Sequence, residues 1–133
     1  MGQALIPIDP TLLSLLKDAF GADGLPQPFV KEIFLLECHV AGTSHVPNVE
    51  DLEPSLELQT VLVFQREPQN PHDKLAILIL TQTGRKLGYV PRDRNEVLAR
   101  LMDAGKLIFG RLERKEWVED WLKLEIRAYL RDL

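Results

Sequence analysis

The sequence lacks most features of secreted, membrane and fibrous proteins. Cys38 is the one cysteine among 133 residues, so no internal disulfide can form. The first residues, MGQALIPIDP, lack the basic and apolar regions of a signal peptide. No apolar run approaches the roughly 20 residues that cross a bilayer. We therefore expect a soluble, cytosolic protein with no membrane partner, in which Cys38 packs as a small hydrophobe within an apolar strand.

Several enzyme motifs are missing as well. None of the 8 glycines falls in a G-x-G-x-x-G or G-x-x-x-x-G-K arrangement, which disfavours nucleotide hydrolysis and leaves no ATPase motor. Cys38 and His39 are neighbours in a predicted strand, so their side chains point to opposite faces and make a poor nucleophilic pair. Without paired-cysteine spacing, a metal site would have to gather His45, His72 and Asp73 from two loops. We expect a non-catalytic protein without a metal or other cofactor.

Charge is unevenly distributed along the chain. The net charge of −4 argues against a nucleic-acid coat protein held by a broad basic surface. Residues 1–65 carry 2 basic and 9 acidic residues, whereas residues 66–100 carry 7 basic and 4 acidic residues, and the remainder is neutral. The net values of −7 and +3 fit either solvated faces or a local patch that faces an anion, and composition does not choose between them.

The amino-terminal segment predicts one helix ahead of the main domain. Asp9 followed by Pro10 is typical of an N-cap and a first-turn proline, and Gly21 is placed to end the helix. The leucine-rich face of this helix is expected to pack on the protein's own sheet rather than on a partner. The segment GADGLPQP then breaks regular structure. We therefore divide the chain into residues 1–30, the helix and linker, and residues 31–133, the main domain.

Six segments of the main domain have strand patterns. The apolar run 33–40 predicts a strand buried on both faces, whereas residues 122–130 alternate and predict one core face and one solvent face. The third and fourth strands form a hairpin through TQTGR, where Gly84 can adopt a positive φ. In chain order, the predicted strands are 33–40, 58–66, 76–80, 86–90, 107–114 and 122–130.

One helix is embedded between the strands. Asp93 and Glu96 have the spacing of a capping box, which predicts a helix that begins at Arg94, and Gly105 is placed at its left-handed end. Its predicted apolar face consists of Val97, Leu98, Leu101 and Met102. Strands and helix do not alternate as βαβ units, so we expect a β-rich α+β fold, a small antiparallel barrel of about six strands.

A dense polar loop, REPQNPHDK at Arg66–Lys74, leaves a buried strand directly. Polar loops mounted on a rigid strand often carry function. The alternative is a purely structural turn in which Asn70 and Asp73 cap their own backbone. Both interpretations remain open from the chemistry alone.

At this loop the sequence resembles the HIRAN domain, a module at the front of certain DNA-remodelling ATPases of the helicase-like transcription factor type that also occurs as small bacterial proteins. The resemblance covers residues 33–130. R-E-P-x-N-P-x-D, followed after a short hairpin by G-Y-V-P-R, carries most of its specificity. The matching segments are VAGTSH (Val40–His45), VFQREPQNPHDKLAI (Val63–Ile77), GRKLGYVPR (Gly84–Arg92) and LARLMDAG (Leu98–Gly105).

The resemblance implies an OB-like fold, a partly open β-barrel, that binds single-stranded DNA at its free 3′ end. By motif position, Asn70 and Asp73 would contact the terminal sugar and its 3′-hydroxyl. His45 and His72 stand where the family has aromatic residues that stack on the end nucleotides. Histidine is a smaller ring that can gain charge near neutral pH, so we expect tighter binding near pH 6 than near pH 8.

The resemblance also implies that Tyr89 and Arg92 approach the phosphates. An ionised Asp73 accepts a hydrogen bond from a 3′-hydroxyl but repels a 3′-phosphate, and base stacking tolerates any base. Binding should therefore be end-specific, largely independent of base sequence and sensitive to salt. Further cations are expected to help, namely Lys74, Arg85, Lys86 and Arg94.

Three functional hypotheses remain. The first is a non-catalytic binder of single-stranded DNA 3′ ends in DNA repair, fork handling or mobile-element processing, working beside a helicase, nuclease or other DNA-processing protein. The second is a protein-interaction module that keeps the barrel without end recognition and docks a partner through the N-terminal helix. The third is a metal-dependent hydrolase built on His45, His72 and Asp73.

Overall fold

The computed structural model describes residues 5–20 and 31–132. This part of the chain forms a six-stranded sheet with three α-helices and two single turns of 3₁₀ helix at Thr43–His45 and Glu53–Ser55. The strands are β1 (Glu32–His39), β2 (Val61–Arg66), β3 (Ile77–Leu80), β4 (Lys86–Tyr89), β5 (Leu107–Val118) and β6 (Trp121–Arg131). The helices are α1 (Pro10–Phe20), α2 (Val49–Leu52) and α3 (Asn95–Asp103).

The sheet curls into a small barrel. Its strand order is β1-β6-β5-β2-β3-β4, and all neighbouring pairs are antiparallel. Ala41, just after β1, pairs with Tyr89 at the end of β4 through N···O distances of 2.8 and 2.9 Å, which brings the two outer strands together. A Cβ on Gly88 would lie 2.2 Å from the Ala41 carbonyl oxygen, so the closure requires glycine there. The predicted antiparallel, OB-like barrel of the β-rich α+β class is confirmed.

Apolar side chains pack on both faces of the sheet. Along β2, Leu62 and Phe64 point into the barrel, while Val61 and Val63 point outward. All four are buried, because a second apolar layer covers the outer face. The buried residues of that outer layer are Leu16, Val61, Val63, Leu78, Leu80, Leu107 and Phe109.

Helix α1 supplies the cover for this outer face. Asp9 Oδ1 accepts a hydrogen bond of 2.8 Å from the Thr11 amide, which confirms the predicted cap. Leu12 and Leu16 pack against the outer layer, as predicted, so this face of the helix is used within the molecule. Gly21 and the predicted linker GADGLPQP lie outside the described residues.

The prediction that β1 is buried on both faces was wrong. Ile33 and Phe34 are exposed, the latter by 51%. Strand β1 lies at the end of the sheet order and has β6 as its one neighbouring strand among the described residues. An apolar run predicts a strand, but it does not reveal whether a second layer will cover it.

The predicted start of α3 was also wrong. The helix begins at Asn95, its N-cap is Arg94, and no side chain caps it. Glu96 pairs instead with Arg100 at 2.9 Å, one turn along the helix. The predicted apolar face is confirmed for Leu98, Leu101 and Met102, which pack on the core, and was wrong for Val97, which is 61% exposed. Asn95 and Ala99 are buried beside Leu98.

The last two strands form a hairpin that is longer than predicted. Its ladder continues to the pair Val118–Trp121, so Trp117 and Trp121 lie partly exposed at its tip. The predicted alternation of β6 is confirmed, with Leu122, Leu124 and Ile126 buried and the intervening side chains partly exposed. In the described chain, no helix is long and apolar enough to span a bilayer.

Candidate nucleic-acid interface

Five of the six predicted site residues line one cavity of about 300 Å³ at the rim of the barrel. This rim pocket lies where the loop between β2 and β3 meets the end of β4, beside the closing pair Ala41–Tyr89. Its polar lining is Asn70, His72, Asp73, Tyr89 and Arg92, and its apolar lining is Ala41, Ala76, Val90 and Pro91. The fold thus brings together residues that are up to 22 positions apart in the matching motifs.

Asn70 organises the loop that carries the pocket. Its Oδ1 accepts hydrogen bonds from the His72 and Asp73 amides at 2.8 and 3.2 Å. Its Nδ2 donates to Glu67 Oε1 at 3.0 Å. The side-chain oxygen is therefore fixed against the loop, and one of the two amide hydrogens has no partner among the described residues. The backbone capping expected of a structural turn is therefore present, and it still leaves one donor of Asn70 at the pocket.

Asp73 is held as a carboxylate. Its Oδ1 accepts from the Leu75 amide at 2.9 Å, and its Oδ2 accepts from Asn95 Nδ2 at 2.8 Å. The Leu75 hydrogen bond is the largest cause of a lowered pKa; Asn95, Arg92 and Arg66 lower it further, and desolvation acts in the opposite direction. Asp73 is therefore ionised at neutral pH, with lone pairs remaining on both oxygens.

The hydroxyl of Tyr89 faces a carboxylate rather than open space. It donates to Glu67 Oε1 at 2.9 Å, while Lys86 Nζ lies 4.9 Å from the ring centre. Desolvation and the neighbouring Glu67 raise the Tyr89 pKa to about 12, so the phenol stays protonated. Because this O–H is already donated to Glu67, the phosphate contact implied for Tyr89 would need a rearrangement of the pair.

Arg92 is the exposed cation of the rim pocket. Its side chain is 71% exposed, its Nε lies 3.9 Å from Asp73 Oδ2, and its Nη2 donates to the His72 carbonyl oxygen at 2.6 Å. A guanidinium in this position can reach a phosphate beside the pocket without leaving the loop.

Arg66, in contrast, is used within the protein. It forms a two-bond pair with Asp103, and it donates to the carbonyl oxygens of Lys74 and Ala76 at 2.9 and 2.7 Å. These bonds fasten both ends of the polar loop to α3. Among the cations expected to help, Lys74 and Arg94 are exposed, and Arg85 and Lys86 are half-buried.

The two histidines occupy different places. His72 is exposed on the loop and lines the rim pocket. His45 is exposed at the end of the 3₁₀ turn that follows β1, outside the pocket lining. Thr43 Oγ1 fixes that turn by donating to the Leu122 carbonyl oxygen at 2.7 Å. Of the two predicted stacking residues, His72 therefore lines the pocket and His45 does not.

Two residues of the site were not predicted. Glu67 joins Asn70 to Tyr89, and Asn95 supports Asp73 from the start of α3. Glu67 stands inside the R-E-P segment, so the motif itself gave a signal for it. Asn95 had no signal, because a pattern of charges and apolar residues does not reveal a buried amide.

The other chemical candidates were the Cys38 thiol and a metal site. Cys38 is partly buried, and desolvation raises its pKa to about 11, in agreement with a packed thiol. Among the described residues, no group of three or more His, Cys, Asp or Glu side chains is arranged to hold a metal ion.

The fold and the pocket define a small OB-like barrel with a recess at its rim that both polar and apolar residues line. The family model of the HIRAN domain matches residues 33–131, and the chain therefore belongs to the HIRAN domain family. This membership confirms the resemblance seen in the motifs and supports nucleic-acid binding in general terms.

Two solved structures are similar to this chain. A crystal structure of a protein from Lactobacillus plantarum has a TM-score of 0.72 and 26% identity, and the match covers 78% of this chain and 99% of that one. The crystal structure of the HIRAN domain of human HLTF has a TM-score of 0.59 and 21% identity, with coverages of 75% and 78%. The latter likeness concerns the fold alone. No curated protein matches the chain.

Proposed function

We propose that the rim pocket binds the 3′ end of single-stranded DNA and recognises its free 3′-hydroxyl. The observation that carries the proposal is the pairing of Asn70 and Asp73 at one pocket. A hydroxyl both donates and accepts a hydrogen bond. Asp73 offers a carboxylate that can only accept, and Asn70 offers an N–H that can only donate. Together they complement a hydroxyl group.

The same pair disfavours a terminal phosphate. Asp73 is ionised, and its two protein hydrogen bonds come from neutral groups, the Leu75 amide and the Asn95 side chain. Neutral donors stabilise the carboxylate without cancelling its charge. Glu67 adds a second carboxylate behind Asn70 and Tyr89. A 3′-phosphate would therefore meet two negative groups, with Arg92 as the nearby cation that opposes them.

The rest of the strand would be held by less specific contacts. Arg92, Lys74 and Arg94 are exposed cations on or beside the pocket, suited to backbone phosphates. His72 lines the pocket, and His45 lies on the turn after β1, so both rings can meet bases near the end. These contacts do not read base edges, which predicts binding that is largely independent of sequence.

In this proposal the protein is a non-catalytic end-reader. It holds a 3′ end for DNA repair, fork handling or mobile-element processing, and a helicase, nuclease or other DNA-processing protein supplies the chemistry. A cytoplasmic location belongs to the same proposal. The protein-interaction alternative loses its proposed docking face, since Leu12 and Leu16 of α1 pack on the sheet.

A fluorescence anisotropy titration tests the proposal with one oligonucleotide carrying either a 3′-hydroxyl or a 3′-phosphate. We expect the wild-type protein to prefer the 3′-hydroxyl by about tenfold or more, the worth of a hydrogen bond to a charged group. Asp73→Ala should remove the preference. Asp132→Ala is the matched control, because Asp132 is exposed at the end of β6. Equal affinity of the wild-type protein for both oligonucleotides would contradict the proposal.

A further inference from the structure

Asn95 is a buried polar residue that is not among the motif residues proposed to contact the 3′ end of the DNA. It is 2% exposed and occupies the first position of α3, a helix whose N-cap has no side-chain hydrogen bond. Its amide does not serve its own helix. Nδ2 reaches the loop between β2 and β3 and donates to Asp73 Oδ2 at 2.8 Å.

We infer that Asn95 is a positioning residue that fixes the Asp73 carboxylate for hydroxyl recognition without placing a further positive charge beside it. This inference rests on the proposed function of the rim pocket. Asn95 touches Asp73 rather than the DNA, and it acts through the orientation of that carboxylate.

Orientation is the first part of the argument. The Leu75 amide donates to Oδ1 and the Asn95 side chain donates to Oδ2, so each oxygen of Asp73 is held by a different partner. Rotation of the carboxylate would break at least one of these bonds. The remaining lone pairs of Asp73 then point in a fixed direction. A terminal hydroxyl can donate a hydrogen bond to them without any rearrangement of the loop.

Charge is the second part. A lysine or arginine in the place of Asn95 would hold Asp73 equally well but would cancel its charge. An amide donates a hydrogen bond and adds no charge. The nearest guanidinium, that of Arg92, is mostly exposed and 3.9 Å away. Asn95 therefore lets Asp73 accept from a hydroxyl and still repel a phosphate, which is a specificity that a cationic partner would weaken.

Asn95→Asp tests the inference through pH. It places a second carboxylate against Asp73, and two carboxylates at hydrogen-bond distance share one proton. When the pair holds that proton, the carboxyl group at position 95 can donate a hydrogen bond to Asp73, as the Asn95 amide does in the wild-type protein. When both carboxyl groups are ionised, they repel each other. Arg92 and Arg66 act electrostatically on Asp73. The other charged or titratable residues within two positions of Asp73 and Asn95 are His72, Lys74, Asp93, Arg94 and Glu96.

Val97→Asp is the matched control, since it adds the same charge to α3 at an exposed position. At pH 8 we expect Asn95→Asp to bind the 3′-hydroxyl oligonucleotide about tenfold more weakly than the control. The ratio of the two dissociation constants should approach one as pH falls towards 5. Because both variants retain His45, His72 and the other charges, the ratio isolates the carboxylate pair. Asn95→Leu should bind weakly at every pH.

The outcomes separate the two proposals. A wild-type protein without a 3′-hydroxyl preference overturns the proposed function and, with it, the role of Asn95. A wild-type preference combined with a pH-independent ratio of one overturns the role of Asn95 alone. If circular dichroism shows that the variants do not fold, the inference is tested instead on the wild-type protein, through the side-chain amide signal of Asn95 in its NMR spectrum. It should shift on addition of the 3′-hydroxyl oligonucleotide and not with the 3′-phosphate form; no shift with either overturns the inference.

Discussion

The rim pocket and the outer face of the β5–β6 hairpin are both rich in charge, but a carboxylate has different partners in the two regions. On the hairpin, Glu125 lies between two cations, 3.3 Å from Arg114 and 3.4 Å from Lys123. In the pocket, the Asp73 carboxylate is held by two neutral N–H donors. On the hairpin, the carboxylate of Glu125 is thus balanced by two cations, although it is about as exposed as that of Asp73. Asp73 thus differs from Glu125 in that its short hydrogen bonds come from uncharged groups, while its one cation, Arg92, lies farther away at 3.9 Å.

The largest predicted effects come from replacing a glycine by alanine, first beside the rim pocket and then in the hairpin. Gly88→Ala should lower the free energy of unfolding by about 3 kcal/mol or more, the upper end of the cost of overpacking, because the new Cβ meets backbone. It should also abolish DNA binding, since the closing pair Ala41–Tyr89 borders the pocket.

Gly110→Ala is the matched change within the hairpin, on strand β5. Its Cβ would meet the Phe64 ring at 2.7 Å, and a side chain can shift more readily than backbone. We expect a loss of about 1 to 2 kcal/mol with binding retained by the folded protein. Urea denaturation followed by anisotropy measures both effects; equal losses of stability and binding in the two variants would remove the distinction.

A smaller effect should separate two arginines of nearly equal exposure. The side chain of Arg92 in the pocket is 71% exposed and that of Arg114 on the hairpin is 68% exposed. Arg92→Gln should reduce the slope of log affinity against log salt by about 0.7, the value for one phosphate contact on a single strand. Arg114→Gln makes the same change of net charge and should leave the slope unaltered. Identical slopes in both variants would show that Arg92 contacts no phosphate.

The smallest predicted effect concerns the histidines. Binding should be tighter at pH 6 than at pH 8 by at most about fivefold, since a unit charge 4 Å from a phosphate in water is worth about 1 kcal/mol. His72→Gln should reduce this dependence because His72 lines the pocket. His39→Gln is the control, since His39 packs edge-on against Trp121 at 6.5 Å. Equal dissociation constants of the wild-type protein at both pH values would exclude a role for imidazole charge.

The parts of the fold that could be predicted from the sequence are those that depend on the pattern of neighbouring residues. The alternation of β6 and the turn at Gly84 depend on neighbours in the chain, and both were predicted correctly. The exposure of β1 could not be predicted, because it depends on which faces α1 and the other strands happen to cover. Val97 was misassigned for a related reason, since an apolar residue next to Leu98 fits the helical pattern, whereas the packing of α3 on the barrel decides which of the two is buried.

The candidate site shows the same division. Five of its residues follow from the motif, and the barrel brings them to one pocket as expected. The bond between Asp73 and Asn95 joins residues on a loop and a helix 22 positions apart, and no spacing rule predicts it. The pairing of Tyr89 with Glu67 was equally hidden, although both residues belong to the motif.

The central claim is that the pocket recognises a hydroxyl, and one comparison of dissociation constants tests it most directly. Two otherwise identical oligonucleotides, one ending in a 3′-hydroxyl and one in a dideoxy nucleotide, differ by a single oxygen atom and carry the same charge. We expect the dideoxy oligonucleotide to bind about tenfold more weakly or worse, because the Asp73 acceptor and the Asn70 donor are then left without their partner. Equal binding of the two would contradict the account.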